Sequence, residues 1–355
     1  MATSFKELNS GRDSVVTRNL LHEAIPITGS IVSGTYADEN IKNFSHGMFQ
    51  SVYDYPFASS SANHIFDLTC GYAAASSLSG AASEQNEKKI NIYNQMAQVL
   101  VGFDQNGAVR QFDEDGDLSG GTKINEAYFI NFTRLLTKDE VKKGGFTLTL
   151  GVSGSYATPF GTSNTIDLVD YSGSTGYKIN SPAGEYGILY ATGSDLAPGV
   201  VDQNGYVKAG LLYYQAGIAV VTASVFGGLL TTAVSMSTTN PSGIDAFLST
   251  TAISGNADGV RARFENVSFN NTTELNSTIY FCRVNNTDFN YSSNQTYLSQ
   301  SKMVVKNNSQ DLPVSYITTV GLYSADNELL AVAKLSEPLK KDPSTEFTIR
   351  TRLDY

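Results

Sequence analysis

The chain has 355 residues, of which 41% are hydrophobic and 16% are charged, and its 24 basic and 34 acidic residues give a formal charge of −10. This length exceeds that of a typical single core and predicts two or three domains of roughly 100–200 residues each. A negative charge without basic clusters repels phosphate backbones, so we expect no binding of nucleic acid.

Residues 1–102 are predicted to combine helices with an extended arm. Apolar residues recur at helical spacing in "SGRDSVVTRNLLHEA" and in "SEQNEKKINIYNQMAQVLVGF", where Ser83 provides a cap. An aromatic stretch with Pro and Gly separates the two predicted helices, and such composition is typical of ordered chain. We expect it to form a loop or short strands that lie on a neighbouring subunit.

Residues 103–258 are predicted to form a central β domain. Short runs such as "EAYFINFTRLL" and "GGFTLTLGVS" follow each other with glycines between them, a spacing typical of sandwiches or barrels. The sequence "DQNG" occurs at residues 104–107 and 202–205 and predicts two tight turns. The uncharged stretch of residues 209–244 is long enough to span a membrane, but its β-branched residues favour a pair of core strands.

Residues 259–355 are predicted to form a compact β-sandwich. Two runs flank "SADN" as a hairpin, and "EFTIRTRLDY" alternates as a half-buried final strand. This strand either completes its own sandwich or extends the sheet of a neighbour. We predict that it pairs in assembly through the side chains Phe347, Ile349, Leu353 and Tyr355. The whole chain is therefore expected to be mainly β, with sandwich-like or barrel-like domains and a smaller helical N-terminal region.

Few residues of the chain are suited to catalysis. The three histidines His22, His46 and His64 are scattered, and no nucleophile elbow, phosphate-binding loop or zinc-protease motif is present. Cys70 and Cys282 stand apart, without other ligands at metal spacing, and are interpreted as buried free thiols. We therefore predict that the protein is not an enzyme and needs no cofactor.

The stretch "FDEDGDLSGGTKINEAYF" is the strongest candidate for a metal site. Asp113, Asp115 and Asp117 alternate as in a calcium loop, but Gly116 falls one position early and Ile124 occupies the twelfth position. We interpret the stretch as an acidic turn without a metal, and a calcium site is the alternative.

The stretch "VSYITTVGLYSADNELLAVAKLSEPLKK" resembles a module of tail-collar and baseplate proteins of tailed bacteriophages. The matching residues are Ile317, Gly321, Leu322, Tyr323, Leu330, Ala331, Lys334 and Pro338. Two further stretches, "SVYDYPFASSSANHIFDLTCGY" and "YFINFTRLLTKDEVKKGGFTLTLG", resemble virion structural proteins of large marine and cyanobacterial tailed phages.

The resemblance implies a structural subunit of a phage particle, made in the bacterial host cytoplasm and incorporated in the tail, baseplate or neck. Its expected partners are other virion proteins and copies of itself, without nucleic acid or membrane. A host-receptor or glycan-binding adhesin of the tail-fibre type, which would contact a host surface ligand, is one alternative. A head decoration or capsid protein is another.

Overall fold

A computed structural model describes residues 5–22, 38–80, 83–136, 138–161, 164–238, 243–292, 296, 298–299, 302–303, 310 and 312–355. The protein is mainly β, with 39% strand and 18% helix, as predicted. The chain divides into two compact units. The small unit comprises Met1–Leu20 and Glu274–Tyr355, and the large unit is Leu21–Thr273. The three-part division at residues 102 and 258 remains a prediction.

The strands are β1 (Ser14–His22), β2 (Ile41–Asn43), β3 (Gln50–Tyr53), β4 (His64–Tyr72), β5 (Glu126–Asn131), β6 (Glu140–Val141), β7 (Thr147–Gly151), β8 (Thr165–Val169), β9 (Lys178–Ser181), β10 (Gly184–Thr192), β11 (Val207–Tyr213), β12 (Ile218–Thr222), β13 (Phe264–Ser268), β14 (Asn271–Val284), β15 (Leu298–Ser299), β16 (Lys302–Met303), β17 (Ser315–Tyr323), β18 (Leu329–Lys341) and β19 (Phe347–Asp354). The α-helices are α1 (Ser10–Asp13), α2 (Glu84–Leu100), α3 (Gly173–Gly176), α4 (Ile244–Thr250) and α5 (Ile253–Arg261). Short 3-10 turns occur at Asp38–Asn40, Ser77–Gly80, Thr133–Leu135 and Ala223–Phe226.

The large unit contains one long antiparallel sheet. Its strands pair in the order β13-β7-β8-β10-β11-β12-β5-β4-β3-β2, and β9 pairs additionally with β10. Within the described residues this sheet does not close into a barrel, so the barrel alternative was wrong. The central strands β4, β5, β11 and β12 are almost continuously buried, and the helices α2 and α5 pack against β4.

The first part of the uncharged stretch of residues 209–244 forms a pair of core strands, as predicted. Its residues supply most of β11 and all of β12, which pair as an antiparallel hairpin from Gly210↔Val221 to Tyr213↔Ile218. No helix in the described part of the chain is long and apolar enough to cross a membrane.

Helix α2 begins and packs as its sequence predicts. The Ser83 side chain accepts a hydrogen bond from the Asn86 N–H, and the helix buries Ile92, Tyr93 and Ala97. It lies close against β4 at Gly71, where an added Cβ would come within 2.5 Å of the Lys89 carbonyl oxygen. Glycine is therefore required at position 71 for the helix to lie this close to the sheet.

A buried lysine connects α2 to a distant helix. The Lys89 ammonium group donates hydrogen bonds to the carbonyl oxygens of Leu248 and Thr251, at the C-terminal end of α4. Burial lowers the pKa of Lys89. The ammonium group satisfies carbonyls that the end of a short helix leaves without a partner.

The predicted helix near the N-terminus is wrong. Only Ser10–Asp13 is helical, and the residues that follow form the strand β1 instead. The β-branched Val15, Val16 and Thr17 favour an extended chain, and pairing with β14 provides the partner strand. Helices are also not confined to the N-terminal region, because α4 and α5 lie in the second half of the large unit.

The small unit is built on β14, which pairs with β1 on one side and with β19 on the other. The pairing with β19 is antiparallel and runs from Ser277↔Asp354 to Val284↔Phe347. The final strand therefore forms where its alternation predicts, and it pairs within its own chain. Strands β17 and β18 form the predicted hairpin, which joins no other strand among the described residues.

Candidate functional site

The acidic loop of residues 113–123 is the candidate metal site, and it is held by its own backbone. Carboxylate oxygens of Asp113, Asp115 and Asp117 lie within 4.8 Å of one another. Each of these carboxylates accepts a hydrogen bond from the N–H two residues further on, at 3.4, 3.2 and 2.7 Å respectively. Three successive turns of this kind hold the carboxylates close to one another.

The chain itself places a cation in this loop. The Lys123 Nζ lies 2.5 Å from Asp113 Oδ2, and the Asp113 side chain is fully buried. The two residues also face each other as a β-bridge. Calcium takes six to eight oxygen ligands, and Lys123 already binds one of the few that this loop offers.

Neighbouring groups reflect the negative charge of the loop. Burial, and then the charge of Asp113, raises the pKa of Tyr186 to about 12, and its hydroxyl donates to the Gly116 carbonyl oxygen at 3.0 Å. The N–H of Ser119 lowers the pKa of Asp117 by binding its charged form. Burial raises the pKa of Glu114, which faces Lys208 as well as Asp115. The loop is thus part of the packed structure of the large unit.

Calcium is expected to leave the thermal stability of the protein nearly unchanged. Because Lys123 neutralises Asp113, millimolar calcium should shift the melting temperature by less than about 1 °C, as measured by circular dichroism. The matched variant Asp115→Asn should respond in the same way. A rise of several degrees in the natural chain that Asp115→Asn abolishes would instead establish a calcium site.

A cavity of about 640 Å³ adjoins the acidic loop. Side chains of α2 and of the following loop line it, among them Tyr93, Asn94, Arg110 and Gln111, together with Lys123. The one carboxylate of the described lining belongs to Asp104, which accepts hydrogen bonds from the N–H groups of Asn106 and Ala108. Glycoside hydrolysis needs a facing pair of carboxylates, and this lining does not supply one.

The three histidines lie in different segments of the fold. His22 ends β1 and His46 lies in a turn, where its ring nitrogen accepts a hydrogen bond from the Met48 N–H. His64 begins β4, and its Nε2 lies 2.6 Å from Asp67 Oδ1. Ser51 donates to the same carboxylate oxygen at 2.5 Å. The aspartate therefore lies between serine and histidine, whereas a nucleophilic triad needs the histidine in the middle.

The four residues predicted to pair in assembly all lie at β19. Ile349 is buried, Phe347 and Leu353 are half-buried, and Tyr355 is exposed. The backbone of Tyr355 exchanges two hydrogen bonds with Asn276, which continues the ladder to the last residue. Cys282 of β14 lies opposite Ile349, and it and Cys70 are both free thiols. Cys70 is buried, as predicted, whereas Cys282 is only half-buried.

Sequence reasoning missed the exposed apolar face of the β17–β18 hairpin, which includes Tyr323, Leu329 and Val332. Alternation in "GLY" and "LLAVAK" could have shown that both faces of this hairpin are apolar. It also missed the pairing of Lys123 with Asp113. A basic residue shortly after three acidic residues was the available signal.

Comparison with known proteins found no matching family model, no similar curated protein and no similar solved structure.

Proposed function

We propose that this protein is a non-enzymatic structural subunit of a tailed-phage particle, located in the tail, baseplate or neck, and that it acts by assembling with other subunits. The observation that carries the proposal concerns the small unit. Its strands are regular, but few of its apolar side chains are buried. Among its described residues, three apolar side chains are buried: Val284, Val314 and Ile349.

The exposed apolar side chains of the small unit are far more numerous. The described residues of this kind are Phe5, Val15, Val16, Tyr291, Leu312, Tyr316, Tyr323, Leu329, Leu330, Val332, Leu339 and Tyr355. Contiguous exposed apolar groups are typical of surfaces that a partner covers, and Tyr323, Leu329 and Val332 form such a group on the β17–β18 hairpin. An isolated two-stranded hairpin is also marginally stable in water, so β17–β18 is expected to gain stability from a neighbour.

The chemistry of the described chain fits a structural role. The acidic loop is neutralised by its own lysine, and Ser51, Asp67 and His64 are arranged differently from a nucleophilic triad. The resemblance of the hairpin stretch to tail-collar and baseplate proteins supports a place in the particle. The β-sandwich predicted for residues 259–355 remains part of this proposal. In it, a neighbouring subunit supplies the second layer of the sandwich.

Purified virions of the phage that encodes this chain are expected to contain it as a stoichiometric component. Mass spectrometry of virions purified by density gradient measures its presence, and gold-labelled antibody against the small unit locates it by electron microscopy. Label at the tail end would favour the proposed baseplate location or the adhesin alternative. Label over the head would favour the capsid alternative. Virions that lack the chain by both methods would refute the proposal.

A further inference from the structure

The β17–β18 hairpin has two unequal faces. One face carries the opposed pairs Thr319↔Lys334, Gly321↔Val332 and Tyr323↔Leu329, and all six of these residues are exposed. The other face carries Val320, Leu322, Ala331 and Ala333, which are half-buried. The unit therefore turns a mostly uncharged face of its hairpin to solvent.

A compact apolar patch lies at the end of this face that adjoins the turn between β17 and β18. Tyr323 and Leu329 lie over Gly321, where an added Cβ would come within 2.9 and 3.4 Å of their side chains. The Phe5 ring packs edge-on against Tyr323, with a centroid distance of 5.1 Å. Leu329 and Val332 nevertheless remain 53% and 52% exposed. The glycine leaves a shallow surface on which a second apolar layer can pack.

The charges at the two ends of this patch are complementary to each other. The turn carries the acidic Asp326 and Glu328, and Lys334 follows on the same strand beyond the patch. Neither Glu328 nor Lys334 has an ion-pair partner among the described residues. A two-fold axis near Ala331 would bring Glu328 of one copy opposite Lys334 of the other, with the apolar patches between them.

Net charge also favours contact between copies through the small unit. The small unit has 11 basic and 11 acidic residues, whereas the large unit has 13 basic and 23 acidic residues and thus carries the whole charge of −10. Two large units repel each other, and two small units meet without a long-range penalty.

We infer that the exposed face of the β17–β18 hairpin binds the same face of a second copy of this chain in a two-fold arrangement. The inference rests on the proposed function and adds to it the identity of one partner and the residues of the contact. Leu329 and Val332 supply the apolar centre of the contact. The pairs between Glu328 of one copy and Lys334 of the other fix the relative orientation of the two copies.

Sedimentation velocity of the full chain over a range of concentrations tests this inference. The natural chain is expected to form dimers reversibly. Val332→Glu and Lys334→Glu should each raise the dimer Kd about tenfold or more, because the first buries a charge and the second opposes two acidic groups. The double variant Glu328→Lys with Lys334→Glu should recover dimerisation, since it restores complementary charges in the reverse order.

Ile179→Glu is the matched control, because Ile179 is 75% exposed and lies in the large unit. It should leave the Kd unchanged, and circular dichroism should show that all variants remain folded. The inference is overturned if the natural chain stays monomeric at every concentration, if the control weakens dimers as much as Val332→Glu, or if the double variant fails to recover. None of these results bears on the presence of the chain in virions, which decides the proposed function separately.

Discussion

Deletion of residues 347–355 is expected to abolish the folding of the small unit and, under the proposed function, the incorporation of the chain into particles. The deletion removes β19, whose eight residues all pair with β14. Each backbone hydrogen bond contributes roughly 0.5–1.5 kcal/mol, and the loss of this ladder exceeds what the few buried side chains of the unit can offset. The buried Ile349 would be lost as well.

The effect of this deletion is measured by limited proteolysis of the purified chain and by mass spectrometry of the resulting virions. In the truncated chain, the protease should degrade the residues from about 274 onward first, while the large unit resists digestion. A variant with Thr348→Ser and Arg350→Ser keeps the strand and changes exposed positions, so it should behave as the natural chain does. If the truncated chain were protected and incorporated normally, β19 would be dispensable.

Lys143→Met is expected to destabilise the large unit by about 3–5 kcal/mol, the usual cost of breaking a buried ion pair. The Lys143 Nζ lies 2.7 Å from Glu140 Oε1 and 2.7 Å from Glu185 Oε2, and the Glu140 side chain is 1% exposed. The ammonium group also lies over the rings of Tyr177 and Tyr214. Without it, two carboxylates would face each other at a nearly dry site.

The pH dependence of stability provides a second readout for Lys143. Burial lowers the pKa of Lys143, but its hydrogen bonds to Glu140 and Glu185 outweigh burial and raise the pKa above 10.5. A raised pKa means that this stabilisation is fully present below pH 10.5 and is lost as the pH rises through the pKa of the folded state. The difference between the natural chain and Lys143→Met should therefore shrink at strongly alkaline pH.

Urea unfolding followed by circular dichroism measures both effects, and Lys142→Met is the matched control. Lys142 is the preceding residue, it is half-buried, and it forms no ion pair among the described residues. The two variants have the same change in formal charge, so only the loss of the buried contacts distinguishes them. Equal unfolding midpoints for the two variants would show that the ion pairs and ring contacts of Lys143 contribute nothing to the stability of the protein.

The parts of the fold that could be predicted are those that local chemistry determines. Both "DQNG" turns form with the same hydrogen bonds, in which Asp104 and Asp202 each accept from the N–H groups two and four residues further on. Helix α2 begins at its predicted cap, and β19 alternates as its sequence indicates. These features need few distant partners.

The missed features depend on contacts between distant parts of the chain. Residues 14–22 have a helical spacing of apolar groups, yet β14, more than 250 residues away, provides the pairing that makes them a strand. Lys89 binds carbonyls more than 150 residues away, and nothing near it in the sequence indicates these acceptors. In the acidic loop the three carboxylates were predictable, whereas the direction of the Lys123 side chain was not.

Under the proposed function, the sparse interior of the small unit also has a consequence for the timing of assembly. Elements with few buried contacts open locally at low free energy, so β17 and β18 are expected to exchange between ordered and frayed states before a neighbour binds. Association that must wait for the ordered state is slower than collision alone would allow. A newly made subunit would thus persist singly for a time, and a growing particle that already presents ordered strands would capture it faster than another free subunit would.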